Sequence, residues 1–209
     1  MKIAVIGASG KAGQKIVAEA ISRGHEVAAI VRSASKVKED ITVLEKDIFA
    51  LTQEDVRDFD VVVNAFGAAP SQEEMHVKVG RHLIDIFTGI TTKLFVVGGA
   101  GSLFVDPEKT VRVMDTDDFP EMFFETAKNQ GDNLNDLQNS SITWTFLSPS
   151  AFFDPTGPRT GNYSVGVDHL LVNAQGESYV SYADYAIAVL DELENPKHVN
   201  SRFTVASNK

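Results

Sequence analysis

Three glycines, Gly7, Gly10 and Gly13, sit between the apolar run KIAVI and the amphipathic stretch that follows in MKIAVIGASGKAGQKIVAEAISRG. A strand, a glycine-rich turn and a helix in that order is the context in which backbone amides meet a phosphate. Gly7 permits a tight turn out of the strand. Gly10 has no side chain to keep a pyrophosphate from the backbone, and Gly13 lets the helix pack close to the sheet. Ala8, Ser9, Lys11 and Ala12 complete the turn, and the start of the helix offers free N–H groups and a partial positive charge. The alternative is that all three glycines serve backbone geometry alone.

The remaining pattern repeats the first unit. The runs HEVAAIVR, ITVLEKD, DVVVNAFG, KLFVVGG and ITWTFLS predict five more strands. They are apolar throughout, as a parallel sheet covered on both faces requires. Helices are predicted after Gly10, with Ile16, Val17, Ala20 and Ile21 on one face, over Glu73–Thr88, and from Pro120 to Leu137. The expected fold class is therefore α/β, a doubly wound parallel sheet. After Pro149 the chain turns rich in Pro, Gly and Ser, which predicts an irregular loop. SYADYAIAVLDELENP then predicts a helix with a capping box from Ser181 to Asp184, and RFTVA a last strand. Residues 1–209 read as one domain, with 150–209 as a small lobe on the substrate side.

Composition removes several chemistries. There is no cysteine, which excludes disulfides, thiolate metal sites and a cysteine nucleophile. No G-x-S-x-G elbow supports hydrolysis. The five histidines lack the spacing of a metal set, and no metal is expected; Asp115, Asp117 and Asp118 read as a solvated loop. A net charge of -10 disfavours nucleic acid and anionic lipid. Lys2 is followed by only four apolar residues before Gly7, unlike a signal peptide, and no apolar run approaches the ~20 residues of a membrane span. A cytoplasmic location with no membrane partner is expected.

The spacing is G-x-x-G-x-x-G. Together with AIVR, EKDI, VVVNAFG, KLFVVGGAGSL, WTFLSPSAFF and SYADYA, it resembles the atypical branch of the short-chain dehydrogenase/reductase superfamily, which holds NmrA-like proteins and flavin reductases. The resemblance covers nearly the whole chain and implies an NAD(P)-binding Rossmann fold. It also implies that Asp47 and Ile48 lie on the adenine, although a helix-capping Asp47 is an equal alternative. Asn64, Ala65, Phe66 and Gly67 would line the adenine ribose and phosphates, Gly98 would lie beside the cofactor, and Pro149 and Ser150 would run along the nicotinamide.

The residues themselves speak to the choice of nucleotide. Proteins that prefer NAD place a carboxylate at the end of the second strand, on the ribose 2′-hydroxyl. Here that strand ends in Ile30, Val31 and Arg32. A guanidinium fork suits a 2′-phosphate, so NADP(H) is expected ahead of NAD(H).

The chemistry is less complete. The dehydrogenases of the resembled superfamily use Ser, Tyr and Lys, with Tyr and Lys spaced Y-x-x-x-K on one helix face. In FETAK, Lys128 remains and Phe124 stands at the phenol's position, and no Tyr occurs before Tyr163. Ser102 and Lys128 are the catalytic candidates, and the resemblance implies that Lys128 also holds the nicotinamide ribose; Ser102 can equally cap a turn. Hydride transfer needs an aligned acceptor in a dry cleft more than a side-chain acid. Phe152 and Phe153 would wall a flat acceptor, or pack as core beneath the lobe. The sequence therefore predicts an NADPH-dependent reductase of a small planar acceptor such as a flavin or quinone. The rival is a non-catalytic NADP(H) sensor of NmrA type with a protein partner. A sugar-nucleotide epimerase or dehydratase is disfavoured, because about sixty residues after Pro149 leave little room for its pocket.

Overall fold

The computed structural model describes residues 1–208. Eight strands form one sheet: β1 (Lys2–Ile6), β2 (Glu26–Val31), β3 (Thr42–Glu45), β4 (Val61–Asn64), β5 (Lys93–Val97), β6 (Trp144–Ser148), β8 (Tyr163–Gly166) and β10 (Ser201–Ser207). The order is β3-β2-β1-β4-β5-β6-β10-β8, parallel except for the antiparallel pair β10–β8. Two shorter strands, β7 (Phe152–Asp154) and β9 (Tyr179–Ser181), pair in parallel as a separate ribbon. The helices are α1 (Lys11–Ser22), α2 (Gln53–Val56), α3 (Met75–Phe87), α4 (Phe124–Gln138) and α5 (Tyr182–Glu194).

Alternation along the strands divides the core in two. On β1, Ile3 and Val5 face α1 and α5, where Ile16, Val17, Ala20, Ala186, Val189 and Leu190 are buried against them. Ala4 and Ile6 point the other way, toward Val79, Leu83 and Phe87 of α3 and Leu134 and Leu137 of α4. Leu83 and Phe87 are fully buried, and each contributes about 2–3 kcal/mol of transfer free energy. Both sheet faces are covered, which is why these strands read as unbroken apolar runs. With β2 on one side of β1 and β4 on the other, the strand order reverses at the first βα turn, where open α/β sheets hold ligands.

Three details depart from the sequence reading. The predicted loop after Pro149 contains β7 and β8. The predicted helix at Pro120 begins instead as a 3₁₀ turn, Glu121–Phe123, before α4. The predicted capping box is half made. Ser181 Oγ accepts the Asp184 amide at 3.0 Å, but the Asp184 carboxylate does not reach back. It accepts from the Thr160 amide at 2.8 Å, the Thr160 hydroxyl at 2.6 Å and the Gly161 amide at 2.9 Å. A fully buried carboxylate thereby ties the loop before β8 to the start of α5.

Among the described residues, no helix is long and apolar enough to cross a membrane. None of their His, Asp and Glu side chains cluster in threes to hold a metal. Asp115 is held by Arg112 at 2.7 Å.

Candidate functional site

The glycine turn is first a packing device. Gly7 has φ +74°, and a Cβ there would lie 2.6 Å from the Ala65 carbonyl oxygen at the exit of β4. A Cβ on Gly13 would overlap the Gly7 carbonyl oxygen, with Gly7 C at 2.9 Å and Ala8 Cα at 3.0 Å. Gly10 is less constrained: its Cβ would meet only the Gly7 oxygen at 3.1 Å. Gly7 and Gly13 are thus required by the chain's own geometry, and Gly10 stands exposed at the N-cap.

That N-cap carries no side-chain cap, and the first turn of α1 carries no acid. The first bond into the helix is Gln14 N–H to the Gly10 carbonyl at 2.9 Å. The amides of Lys11, Ala12 and Gly13 precede it and have no partner within the helix. The helix start and the Lys11 ammonium therefore present donors and positive charge with no acidic partner among the described residues, which fits a pyrophosphate.

A cavity of about 1030 Å³ runs over the strand ends from this point. Its lining follows the strand order. Arg32, from the end of β2, and Lys46, Asp47, Ile48 and Phe49, which follow β3, form one end. Gly7, Ser9, Gly10, Lys11 and Ala12 form the middle, with Ala65, Phe66 and Gly67 beyond β4 and Val97 and Gly98 at the end of β5. Thr126 and Gln130 of α4, Phe153 of β7 and Tyr182 of α5 form the far end. Ala68, Ala69, Pro70, Gln72, Met75 and His76 make a flank.

The electrostatics along the cavity are uneven. Arg32 is exposed and has no acidic partner or hydrogen bond among the described residues. Lys46 is engaged, with Nζ 2.6 Å from Asp55. The Ser33 and Ser35 hydroxyls bond each other at 3.0 Å. Asp47 Oδ1 accepts the Phe49 amide at 3.0 Å, so this residue caps a 3₁₀ turn and also faces the cavity. His76 is buried edge-on to Phe66, with centroids 5.7 Å apart. Burial lowers its pKa below the usual imidazole value, against the opposing Glu73 carboxylate, which leaves the ring neutral at pH 7.

Several expected site residues lie elsewhere. Ala8 and Gly13 are buried beneath the turn, off the cavity wall. Asn64 is buried, and its Oδ1 accepts the Phe66 amide at 3.1 Å, which shapes the exit of β4. Ser102 is buried, and Arg202 Nη1 donates to both its carbonyl at 2.8 Å and its hydroxyl at 3.1 Å, so it does not reach the cavity. Lys128 is exposed and points away, and Thr126 and Gln130 of the same helix line the cavity in its place. Pro149 is buried, and the Ser150 hydroxyl donates to the Val205 carbonyl at 2.8 Å; neither lines the cavity. Phe152 is 55% exposed and packs on Tyr179, while its neighbour Phe153 is the one that faces the cavity.

Sequence reading did not find Gln130, Thr126, His76 or Tyr182. A signal existed for the first two: they are four apart on a helix, and a Cβ on Gly99 would collide with Gln130 Oε1. Tyr182 and Tyr185 are a phenol pair three apart in the first turn of α5.

Comparison with known proteins agrees with this geometry. The model of a family described as NAD(P)H-binding matches residues 7–196. The chain is 65% identical over 210 residues to the uncharacterised YwnB of Bacillus subtilis, covering 99% of each. A solved structure from Streptococcus pneumoniae, described as a candidate NADH-flavin reductase, is 45% identical with a TM-score of 0.95, over 100% of both chains. Another, from Bacteroides thetaiotaomicron and described as a candidate epimerase, is 38% identical with a TM-score of 0.89, over 100% of this chain and 97% of that one.

Proposed function

Because this chain belongs to the NAD(P)H-binding family, we propose that it is an NADPH-dependent reductase of a small planar acceptor, such as a flavin or a quinone. One observation carries the reading: a single cavity joins an unpaired guanidinium, an uncapped glycine-rich helix start and an aromatic end wall. At about 1030 Å³ it lies at the upper end of the roughly 300–1,000 Å³ usual for a small-molecule pocket, as a site for a ligand as long as a dinucleotide requires.

The residues divide the work by their chemistry. The amides of Lys11 and Ala12 and the Lys11 ammonium hold the pyrophosphate. Arg32 takes the 2′-phosphate through its bidentate fork. Asp47 and Ile48 flank the adenine, with Asp47 Oδ2 available to accept an amine proton. The nicotinamide, when bound, supplies a hydride. Phe153 and Tyr182 give a flat acceptor an apolar surface and keep water from one side of it, while Thr126 and Gln130 offer polar contacts at the same end.

The relative from Streptococcus pneumoniae carries NADH in its description, and the candidate epimerase carries a different reaction. Arg32 favours NADPH in this chain, and a flat aromatic wall favours an acceptor over a nucleotide sugar. Calorimetric titration is expected to give NADPH at least a tenfold lower Kd than NADH. In Arg32→Ala, the NADPH Kd is expected to rise about 10- to 50-fold, as loss of charged hydrogen bonds implies, with NADH little changed. Equal constants for the two dinucleotides would overturn the NADPH assignment. NADPH consumption with a panel of flavins and quinones tests the reductase; tight binding with no turnover would instead favour an NADP(H) sensor acting on a protein partner.

A further inference from the structure

We propose that Tyr182 is the hydrogen-bond and proton donor to the acceptor, and hence that the acceptor is a planar ring compound bearing a carbonyl. The inference rests on the reductase reading. Helix α4 brings no phenol to the cavity's far end. Ser102 is committed to Arg202 and Lys128 points away; Thr126 and Gln130 line this end and can hydrogen-bond, but neither an alkanol nor an amide gives up a proton near neutral pH. Tyr185 is fully buried and its hydroxyl donates to the Leu147 carbonyl at 2.7 Å. Tyr182 is different. It lines the cavity, is half-buried, and its hydroxyl has no partner among the described residues.

Packing fixes its ring while leaving its hydroxyl unused. Its centroid is 3.9 Å from that of Phe153, which in turn lies 4.7 Å from Tyr185. Tyr182 is also the first residue of α5, after the Ser181 N-cap, where the helix's partial positive charge favours a developing phenolate. Burial pushes the phenol's pKa up, so it is protonated, and a donor, throughout the neutral range.

The step balances without a further reagent. The hydride supplied by the reduced dinucleotide adds to an atom conjugated with the acceptor's carbonyl. The displaced π pair moves to the carbonyl oxygen, and Tyr182 O–H protonates that oxygen. The phenolate regains its proton from water, and the acceptor is reduced by two electrons while the dinucleotide is oxidised by two.

Tyr182→Phe keeps the ring stack and breaks no hydrogen bond within the protein, so its melting temperature should match the parent's. The first measurement needs no turnover. A carbonyl-labelled naphthoquinone is bound to the protein with NADP+, and its C=O stretch is read by infrared difference spectroscopy. A downshift in the parent that is absent in Tyr182→Phe is expected. The second is steady-state kinetics: kcat should fall about 10- to 50-fold, as loss of a donor to developing negative charge implies, with the NADPH KM unchanged and the solvent deuterium isotope effect diminished. Identical C=O frequencies in the two proteins, or equal kcat and isotope effects, would overturn the assignment to Tyr182 and leave the reductase intact. A parent that binds the quinone with the downshift but oxidises no NADPH would overturn the reductase and support the contact. Failure of the parent to bind any quinone or flavin would overturn the proposal.

Discussion

Gly13→Val is expected to unfold the first turn of α1 and abolish measurable NADPH binding. Helix propensity alone foretells nothing of the kind, since Val is slightly better than Gly inside a helix. The steric environment decides. The new Cβ overlaps the Gly7 carbonyl oxygen and meets Gly7 C at 2.9 Å and Ala8 Cα at 3.0 Å. All three atoms are backbone, so no rotamer change relieves them. Gly7 has little space to retreat into, since even a Cβ built on it would lie 2.6 Å from the Ala65 carbonyl oxygen. Overpacking of this kind costs about 3 kcal/mol, or a fall of roughly 10 °C in Tm for a chain of this size. Displacing the amides of Lys11 and Ala12 by an ångström would raise the dinucleotide Kd by more than about 100-fold. Thermal denaturation and calorimetric titration on one preparation check both. A Tm within about 2 °C of the parent's would show that α1 can tilt away from the turn, contrary to this account.

The same glycine shows what was legible in the sequence and what was not. Local chemistry was legible. The apolar runs and the glycine turn gave the α/β class, its parallel strands and the glycine-lined part of the cavity, because each depends on neighbours within a few residues. The end of the cavity lined by Phe153 and Tyr182 depends on partners far along the chain. Ser102 is turned inward by Arg202, a hundred residues away, and Ser150 by Val205, fifty-five residues away. β7 and β8 are three and four residues long in a Pro- and Gly-rich stretch, and exist because β9 and β10 pair with them. Lys128 failed for a geometric reason. It is two residues from both Thr126 and Gln130, which is about 200° around a helix, so matching the lysine by identity put the register on the wrong face. Tyr182 carries no local signal: the resembled superfamily has its phenol on α4, whereas Tyr182 reaches the cavity wall from the start of α5.

Asp184→Ala is expected to cost about 4 kcal/mol, and to damage the acceptor end of the cavity before the dinucleotide end. Asp184 is fully buried, and its carboxylate is the acceptor for the Thr160 amide, the Thr160 hydroxyl and the Gly161 amide. Removing it takes the acceptor from three donors, each worth about 1–3 kcal/mol when left unpaired in the interior, and water offsets part of this because Thr160 is half-buried and Gly161 exposed. The loop they belong to lies between β7, which carries Phe153, and β8, and Asp184 itself is two residues from Tyr182. The glycine turn and Arg32 share no hydrogen bond with this network. The variant's Tm should therefore fall by roughly 12 °C, while NADPH binding measured well below that transition stays within about threefold of the parent's. Acceptor turnover should suffer more than cofactor affinity, because the Phe153–Tyr182 wall loses its anchor. Asp184→Asn should be intermediate: one amide oxygen can still accept from the loop, but its NH2 faces a donor. A loss of NADPH affinity equal to the loss of turnover would mean that the two ends of the cavity are one cooperative unit, and that the C-terminal lobe helps to hold the dinucleotide as well as the acceptor.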